Sequence, residues 1–127
     1  MQKKDVKVLI VEDEPATLRA MVDQFTEEGF TVFEAKDGEE ALKIATEQLP
    51  DVGLFDIMLP KMDGITVVQK LREKPETRAL KVLFITQLPL DDRRLQQIIE
   101  QGAAYYLLKK DWTLTEMVEK VEALLGM

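Results

Sequence analysis

The segment DVGLFDIMLPKMDG, running from Asp51 to Gly64, sets an ionisable Asp56 between two apolar runs. The residues ahead of it have the continuous apolar character of a strand covered on both faces. Pro60 and Gly64 behind it supply the turn residues that send the chain into another element. A carboxylate ending such a strand loses hydration, and an unpaired buried charge is costly enough that chains avoid it. Asp56 therefore needs compensation from elsewhere in the sequence.

Outward from this stretch, short apolar runs rich in branched residues alternate with longer segments of helical period. Strands are predicted at Lys7 to Val11, Phe30 to Ala35, Asp51 to Phe55, Lys81 to Thr86 and Ala104 to Lys109. Between and after them, five segments carry apolar residues at helical spacing. These are Leu18, Met21, Val22 and Phe25; Ala41, Leu42, Ala45 and Leu49; Ile65, Val68 and Leu71; Leu95, Ile98 and Ile99; and Leu114, Met117, Val118, Val121, Leu124 and Leu125. Five βα pairs predict an α/β fold, a doubly wound five-stranded parallel sheet flanked by five helices. With 127 residues, 46% of them hydrophobic, the chain is the size of a single domain, residues 1–127.

The punctuation agrees. Thr113 and Glu116 form a capping box at the start of the last helix, and Asp37 to Glu40 is expected to start the second helix in the same way. Gly29 and Gly102 stand where helices end in a left-handed residue, and Pro50 separates the second helix from the third strand.

In an open parallel sheet, ligands bind beyond the carboxyl ends of the strands. The first strand ends in Glu12 and Asp13, the third in Asp56, the fourth in Thr86 and the fifth in Lys109, so every candidate reactive group falls on one rim. Glu12 and Asp13 also read as a helix cap, because EDEP places acids and a first-turn Pro15 before a helix. With Asp56 beside them, three carboxylates repel one another unless a cation or shared protons intervene. A set of oxygen ligands without His or Cys suits magnesium, or manganese in its place, and such sites recruit phosphate oxygens. Lys109 reads either as a solvated strand end or as a partner for Asp56 and a phosphoryl oxygen, and Thr86 either as a local backbone partner or as a phosphoryl donor. On the functional reading, Asp56 is a carboxylate nucleophile and the product is an aspartyl phosphate.

Composition removes other chemistry. The chain has no His and no Cys, which excludes disulfides, thiol catalysis, His general bases and most zinc sites. A net charge of -7 opposes direct nucleic acid binding, since phosphate backbones are met by clustered Lys and Arg. The apolar run near the N-terminus is too brief for a signal-peptide core, and no stretch approaches the roughly 20 residues of a membrane span. A cytoplasmic protein without membrane association is the expectation.

At this point the sequence resembles the receiver domains of two-component response regulators over essentially its whole length. VLIVEDEP looks like the acidic pair, DIMLPKMDG like the phosphoacceptor segment, VLFIT like the strand of the switch hydroxyl, and YYLLK like the aromatic switch and Lys. The resemblance implies a flavodoxin-like strand order 2-1-3-4-5. It also implies that Asp56 takes phosphate from a phosphohistidine on a sensor histidine kinase or histidine phosphotransfer protein. Glu12, Asp13, Asp56 and the backbone carbonyl of Met58 would hold Mg2+, while Thr86 and Lys109 contact the phosphoryl oxygens and Tyr106 is the switch aromatic. Tyr105 is expected to serve packing instead.

The same resemblance implies a signalling phosphoacceptor that assists its own phosphorylation and dephosphorylation, not an enzyme. Its output is a downstream protein bound through helix 4, strand 5 and helix 5, with a phosphorylation-dependent dimer as one form of that output. Arg93, Arg94, Tyr106 and Trp112 are placed on or near that surface, and the Trp112 ring is either an exposed contact or folded onto the domain edge. The chain ends just after its fifth helix, which reads as a stand-alone receiver or as a piece of a longer regulator. Two residues depart from the family pattern: Gln87 stands where a small residue is usual, and Lys110 where Pro and a cis peptide are usual. Gln87 is expected to slow loss of the phosphate.

Competing classes meet specific objections. A phosphatase or phosphotransferase using an aspartyl phosphate should have an Asp two residues after its nucleophile, where this chain has Met58. A flavodoxin-like cofactor binder should have a Gly-rich or Ser/Thr-rich phosphate loop after the first strand, which is missing. A phosphorylation-independent interaction module has no use for the full set of acid, hydroxyl and Lys.

Overall fold

The five apolar runs form one parallel sheet in the computed structural model, which describes residues 2–87, 89–103 and 105–127. The strands are β1 (Lys7–Val11), β2 (Thr31–Ala35), β3 (Val52–Asp56), β4 (Lys81–Thr86) and β5 (Tyr105–Leu108), in the order β2-β1-β3-β4-β5. They alternate with α1 (Pro15–Glu27), α2 (Gly38–Gln48), α3 (Gly64–Arg72), α4 (Asp92–Glu100) and α5 (Leu114–Leu124). This is the doubly wound, flavodoxin-like architecture expected.

Each face of the sheet is a separate core. Leu9, Val11, Phe55, Val82 and Phe84 pack under α2, α3 and α4 against Ala41, Ala45, Val68, Leu71 and Ile98. Val8, Ile10, Leu54, Leu83 and Ile85 pack on the opposite face against Met21 and Phe25 of α1 and Met117, Val118 and Val121 of α5. Alternate residues of one strand serve opposite cores, which is why β1, β3 and β4 need unbroken apolar runs. The edge strand β2 has no such need, and its Thr31 and Glu34 are exposed.

Several boundaries differ from the sequence reading. Phe30 precedes β2, buried in the core under α1 and α5. Asp51 lies outside β3, its carboxylate accepting the Lys7 amide at 2.8 Å, and Asp56 is itself the last residue of the strand. Of the fifth strand as expected, Ala104 lies outside the described residues, and Lys109 is not in the strand but opens a 3-10 turn, Lys109–Asp111. On α4 only Ile98 is buried, with Leu95 half-buried and Ile99 68% exposed. Successive helical residues diverge by about 100°, so a helix touching its sheet along a narrow line cannot bury both isoleucines.

The Thr113–Glu116 capping box forms in full. At α2 only half of the expected box forms: Asp37 accepts the Glu40 amide, while the Glu40 carboxylate accepts from Lys36 at 3.3 Å instead of the capping residue. Gly29 and Gly102 are left-handed as expected, at φ 101° and 70°.

Arg72, at the end of α3, ties three segments together. Its Nε donates to the Gln101 carbonyl just past α4 at 2.8 Å, and its Nη1 donates to the carbonyls of Arg78 (3.0 Å) and Leu80 (2.7 Å) ahead of β4. Burial pushes the guanidinium below its ordinary pKa, and its described acceptors are all backbone carbonyls. Arg72→Met keeps the alkyl stem but strands those carbonyls. We expect a loss of about 2 kcal/mol, read as a lower urea midpoint with an unchanged slope.

Candidate functional site

Strand register brings the candidate residues together. Val11 pairs with Phe55, Asp56 with Ile85 and Thr86 with Leu108. Glu12, Asp56, Thr86 and Lys109 therefore emerge at neighbouring points on one rim, with strands about 4.8 Å apart.

Lys109 is the centre of the cluster. Its ammonium donates to Glu12 Oε1 in a short contact and to Asp56 Oδ2 at 3.0 Å. Glu12 is fully buried, Asp56 is 4% exposed, and both belong to the sequence-predicted set. The second oxygen of each carboxylate is also held: Glu12 Oε2 accepts the Glu14 amide at 3.1 Å, and Asp56 Oδ1 accepts the Met58 amide at 3.2 Å. Burial raises the Glu12 pKa, opposed by its hydrogen bond to Lys109. At Lys109, burial pulls downward most strongly of any single influence, but the hydrogen bonds and charges of Glu12 and Asp56 together raise its pKa.

Asp13 stays exposed beside this pair, and one carboxylate oxygen each from Glu12, Asp13 and Asp56 lie within 4.8 Å of one another. The helix-cap reading of Glu12 and Asp13 fails because Glu14 takes that role. Glu14 accepts the amides of Ala16 (3.2 Å) and Thr17 (2.6 Å), and these bonds, those from Thr17 foremost, hold its pKa below the ordinary carboxylate range. Asp13 is thereby free to face the cluster. Three clustered carboxylates, two of them bonded to one ammonium, with oxygen as the donor type, could hold a hard divalent metal ion.

These groups line an open cavity of about 400 Å³ together with Met58, Thr86, Gln87, Pro89 and Leu90. Thr86 is buried, and Gln87 is exposed. The Met58 side chain is 61% exposed, its sulfur accepting from Arg94 Nη1 at 3.5 Å. A glycine lets the following loop close. Gly64 donates to the Ile57 carbonyl at 2.9 Å, and a Cβ there would lie 2.3 Å from the Asp56 carbonyl oxygen.

The aromatic residues divide between the two faces of the sheet. The Tyr106 hydroxyl accepts the Leu90 amide at 2.9 Å, and its ring packs against the core that holds Ile98. Tyr105 packs on the other face, and its ring and that of Trp112 lie 4.7 Å and 5.2 Å from the Lys120 ammonium. Trp112 is folded onto the domain edge, half-buried. Lys110 is exposed, and no cis peptide occurs among the described residues.

Two features were not singled out in the sequence. Glutamate is not among the preferred capping residues, and the one signal for Glu14 in the sequence is its place directly before Pro15. The contact between the start of α2 and the loop after Asp56, where the Gly38 amide donates to the Pro60 carbonyl at 3.4 Å, leaves no local pattern in the sequence.

The chain is similar to known proteins of one family. The family model described as Response regulator receiver domain matches residues 8–122. Over 122 residues the chain is 38% identical to the Probable chemotaxis protein CheY of Rhizobium etli, covering 95% of this chain and 93% of that one. It is 41% identical over 103 residues to the Response regulator PleD of Caulobacter vibrioides, covering 81% of this chain but only 22% of PleD. The CheX-CheY-BeF3-Mg2+ complex from Borrelia burgdorferi superposes with a TM-score of 0.82 at 28% identity, covering 94% of this chain and 89% of that one.

The buried pair generates a direct test. Lys109→Met leaves Glu12 buried with no ammonium, and we expect a loss of about 3 kcal/mol without added metal. Adding Glu12→Gln should recover a large part of it. A double-mutant cycle by urea unfolding reads the coupling; additive effects would mean that the contact contributes nothing.

Proposed function

Because the chain belongs to the response regulator receiver domain family, we propose that it is a phosphorylation-dependent switch of a two-component phosphorelay. In this reading Asp56 accepts a phosphoryl group from a phosphohistidine of a sensor histidine kinase or histidine phosphotransfer protein. The observation that carries it is the cluster of Glu12, Asp13 and Asp56 around Lys109 at the mouth of one cavity.

An Asp56 carboxylate oxygen attacks phosphorus, an O–P bond forms, and the P–N bond to the donor imidazole breaks with its electron pair leaving on nitrogen. Glu12, Asp13, Asp56 and the Met58 carbonyl would hold Mg2+, or Mn2+ in its place, and the ion when bound supplies positive charge to the phosphoryl oxygens. Lys109 already bonds Asp56, so its ammonium is at hand for the added oxygens, and Thr86 lines the same cavity.

Phosphorylation then shifts a population between two arrangements of α4, β5 and α5. Tyr106 supports this reading because its hydroxyl ties β5 to the Leu90 amide just ahead of α4, on the same cavity as Thr86. The output is a change in affinity for a downstream protein, or for a second copy of the chain, across a surface carrying Arg93 and Arg94. Direct nucleic acid binding is no part of the proposal for a chain of net charge -7. Among the described residues no helix is long and apolar enough to cross a membrane, and a cytoplasmic site of action belongs to the same proposal. Met58 stands where an aspartyl-phosphate phosphatase would need an acid, which favours a phosphoacceptor that assists its own reactions over an enzyme. The proposed extent of the domain is residues 1–127.

Two measurements test this. After incubation with magnesium and a small acyl phosphate, intact-protein mass spectrometry should show a phosphate-sized gain that is absent from Asp56→Ala and from a chelator-treated sample. No gain under any metal condition would sink the phosphoacceptor reading. Gln87 stands exposed at the cavity mouth, where it can restrict approach of water to the phosphorylated side chain. Gln87→Ala should shorten the phosphate lifetime by roughly threefold, the effect of under 1 kcal/mol in barrier; equal lifetimes would contradict the restriction.

A further inference from the structure

The loop that follows Asp56 is gripped by an element that contributes no candidate ligand, the first turn of α2. The Gly38 amide donates to the Pro60 carbonyl at 3.4 Å, and the Met62 amide donates to the same oxygen at 2.7 Å. A Cβ at position 38 would lie 2.1 Å from the Met62 carbonyl oxygen and 2.6 Å from the Met62 Cβ. No side chain fits that gap without backbone movement on one side. Between these contacts Lys61 holds a left-handed conformation, φ 68°, which a residue with a side chain keeps only where its surroundings fix it. The Met62 amide closes the turn across Lys61, and beside it the Lys61 ammonium lies 3.5 Å from Oδ2 of Asp37, the cap of α2, and 3.7 Å from Glu39 Oε2. Asp37 is itself held, buried as the cap that accepts the Glu40 amide at 2.8 Å.

The far end of the same loop is fixed by Gly64 against the Asp56 and Ile57 carbonyls. The seven-residue span 57–63 is thus pinned to β3 at one end and to α2 near its middle. Within it lies Met58, whose amide holds Asp56 Oδ1. We infer that Gly38, through its backbone contact with Pro60 and Met62 and with the Lys61 ion pairs beside it, is a positioning residue for the cation site: it sets where the Met58 backbone and the Asp56 carboxylate stand. This inference rests on the reading that Glu12, Asp13, Asp56 and the Met58 carbonyl bind a divalent cation.

A small hard cation tolerates little displacement of the ligands it has. Mg2+ requires near-ideal octahedral ligand placement, so a displaced loop weakens binding even when every ligand remains. Outer groups that orient metal ligands change affinity by about 10-fold to 100-fold when removed. Gly38→Ala must push Met62 away and should act within that range while removing none of the three carboxylates.

The experiment is a calorimetric titration of the full chain with MgCl2 and, separately, MnCl2, without any phosphodonor. Gly38→Ala should bind Mg2+ about tenfold more weakly than wild type. Ala45→Gly, a buried change on the same helix away from the loop, should lower the melting temperature yet keep wild-type cation affinity. Lys61→Gln gives the sharpest contrast. Removing a positive charge from an acidic rim should tighten cation binding if simple charge is all that matters, whereas loss of the clamp should weaken it.

Wild-type affinity in Gly38→Ala, equal weakening in Ala45→Gly, or tighter binding in Lys61→Gln would each overturn the inference and leave the cation site standing. A folded wild type that binds neither ion would overturn the cation-site reading, and the inference with it. Should Gly38→Ala fail to fold, the sign of the Lys61→Gln change decides.

Discussion

A single ammonium stands between two buried carboxylates, and the arrangement of the rim follows from it. Glu12 has no exposure and Asp56 almost none, so neither could be placed at the end of a central strand without Lys109. Breaking such a pair is more damaging than never having built it, because the surviving charge stays in a medium that cannot solvate it. This constraint fixes β1, β3 and β5 relative to one another at one end of the sheet only. At the opposite end Lys7 and Asp51 meet through a backbone amide instead. The two ends therefore differ in kind: one is closed by structural hydrogen bonds, and the other holds a concentration of negative charge that one Lys does not neutralise.

The surrounding elements are arranged around that imbalance. Glu14 caps α1 and so relieves Glu12 and Asp13 of capping, while the Glu14 amide turns back to bond Glu12. On the other side the loop after Asp56 is tied down by Gly64 and by the start of α2. Backbone groups that could satisfy themselves elsewhere are thus committed to the carboxylates, which keeps their oxygens in fixed positions. Arg72 does comparable work for the far end of α4 by gathering carbonyls from two connections at one guanidinium. It leaves the N-terminal side of that helix held by lighter contacts, namely Tyr106 to Leu90 and Arg94 to Met58.

What could be read in advance followed from period and position. Lys81 to Thr86 reads as a strand from its unbroken apolar run, and the structure has those bounds. Asp56, Glu12 and Lys109 were legible as a group because parallel topology sends every strand end to one rim. Groups whose role depends on distant backbone were illegible. Arg72 looks like an ordinary basic residue in the last turn of a helix, since its acceptors lie 6, 8 and 29 residues away. Gly38 looks like any residue after an Asp cap, because the atom that forbids a side chain there belongs to Met62. Ile99 was misplaced for a different reason: helical spacing reports which residues share a side, but not how wide a stripe the neighbouring sheet will cover.

The position of Lys109 outside the strand bears on how a chemical event at Asp56 could reach α4. A Lys inside the β5 ladder would be held by its backbone hydrogen bonds, but Lys109 begins a 3-10 turn beyond the last paired residue, Leu108. Its ammonium can therefore follow a change in charge at Asp56 at the cost of a short turn, not of the sheet. In the proposed reaction the phosphoryl oxygens compete with Glu12 for that ammonium, so Glu12 comes to depend on the cation for compensation. Phosphoryl group and cation are then coupled through one side chain, with each raising the demand for the other. Tyr106, three residues earlier on the four-residue strand β5, is bonded to the amide just ahead of the lightly held end of α4. The rim and the helix are linked by the shortest strand of the sheet, and that is where a two-state rearrangement would meet least resistance.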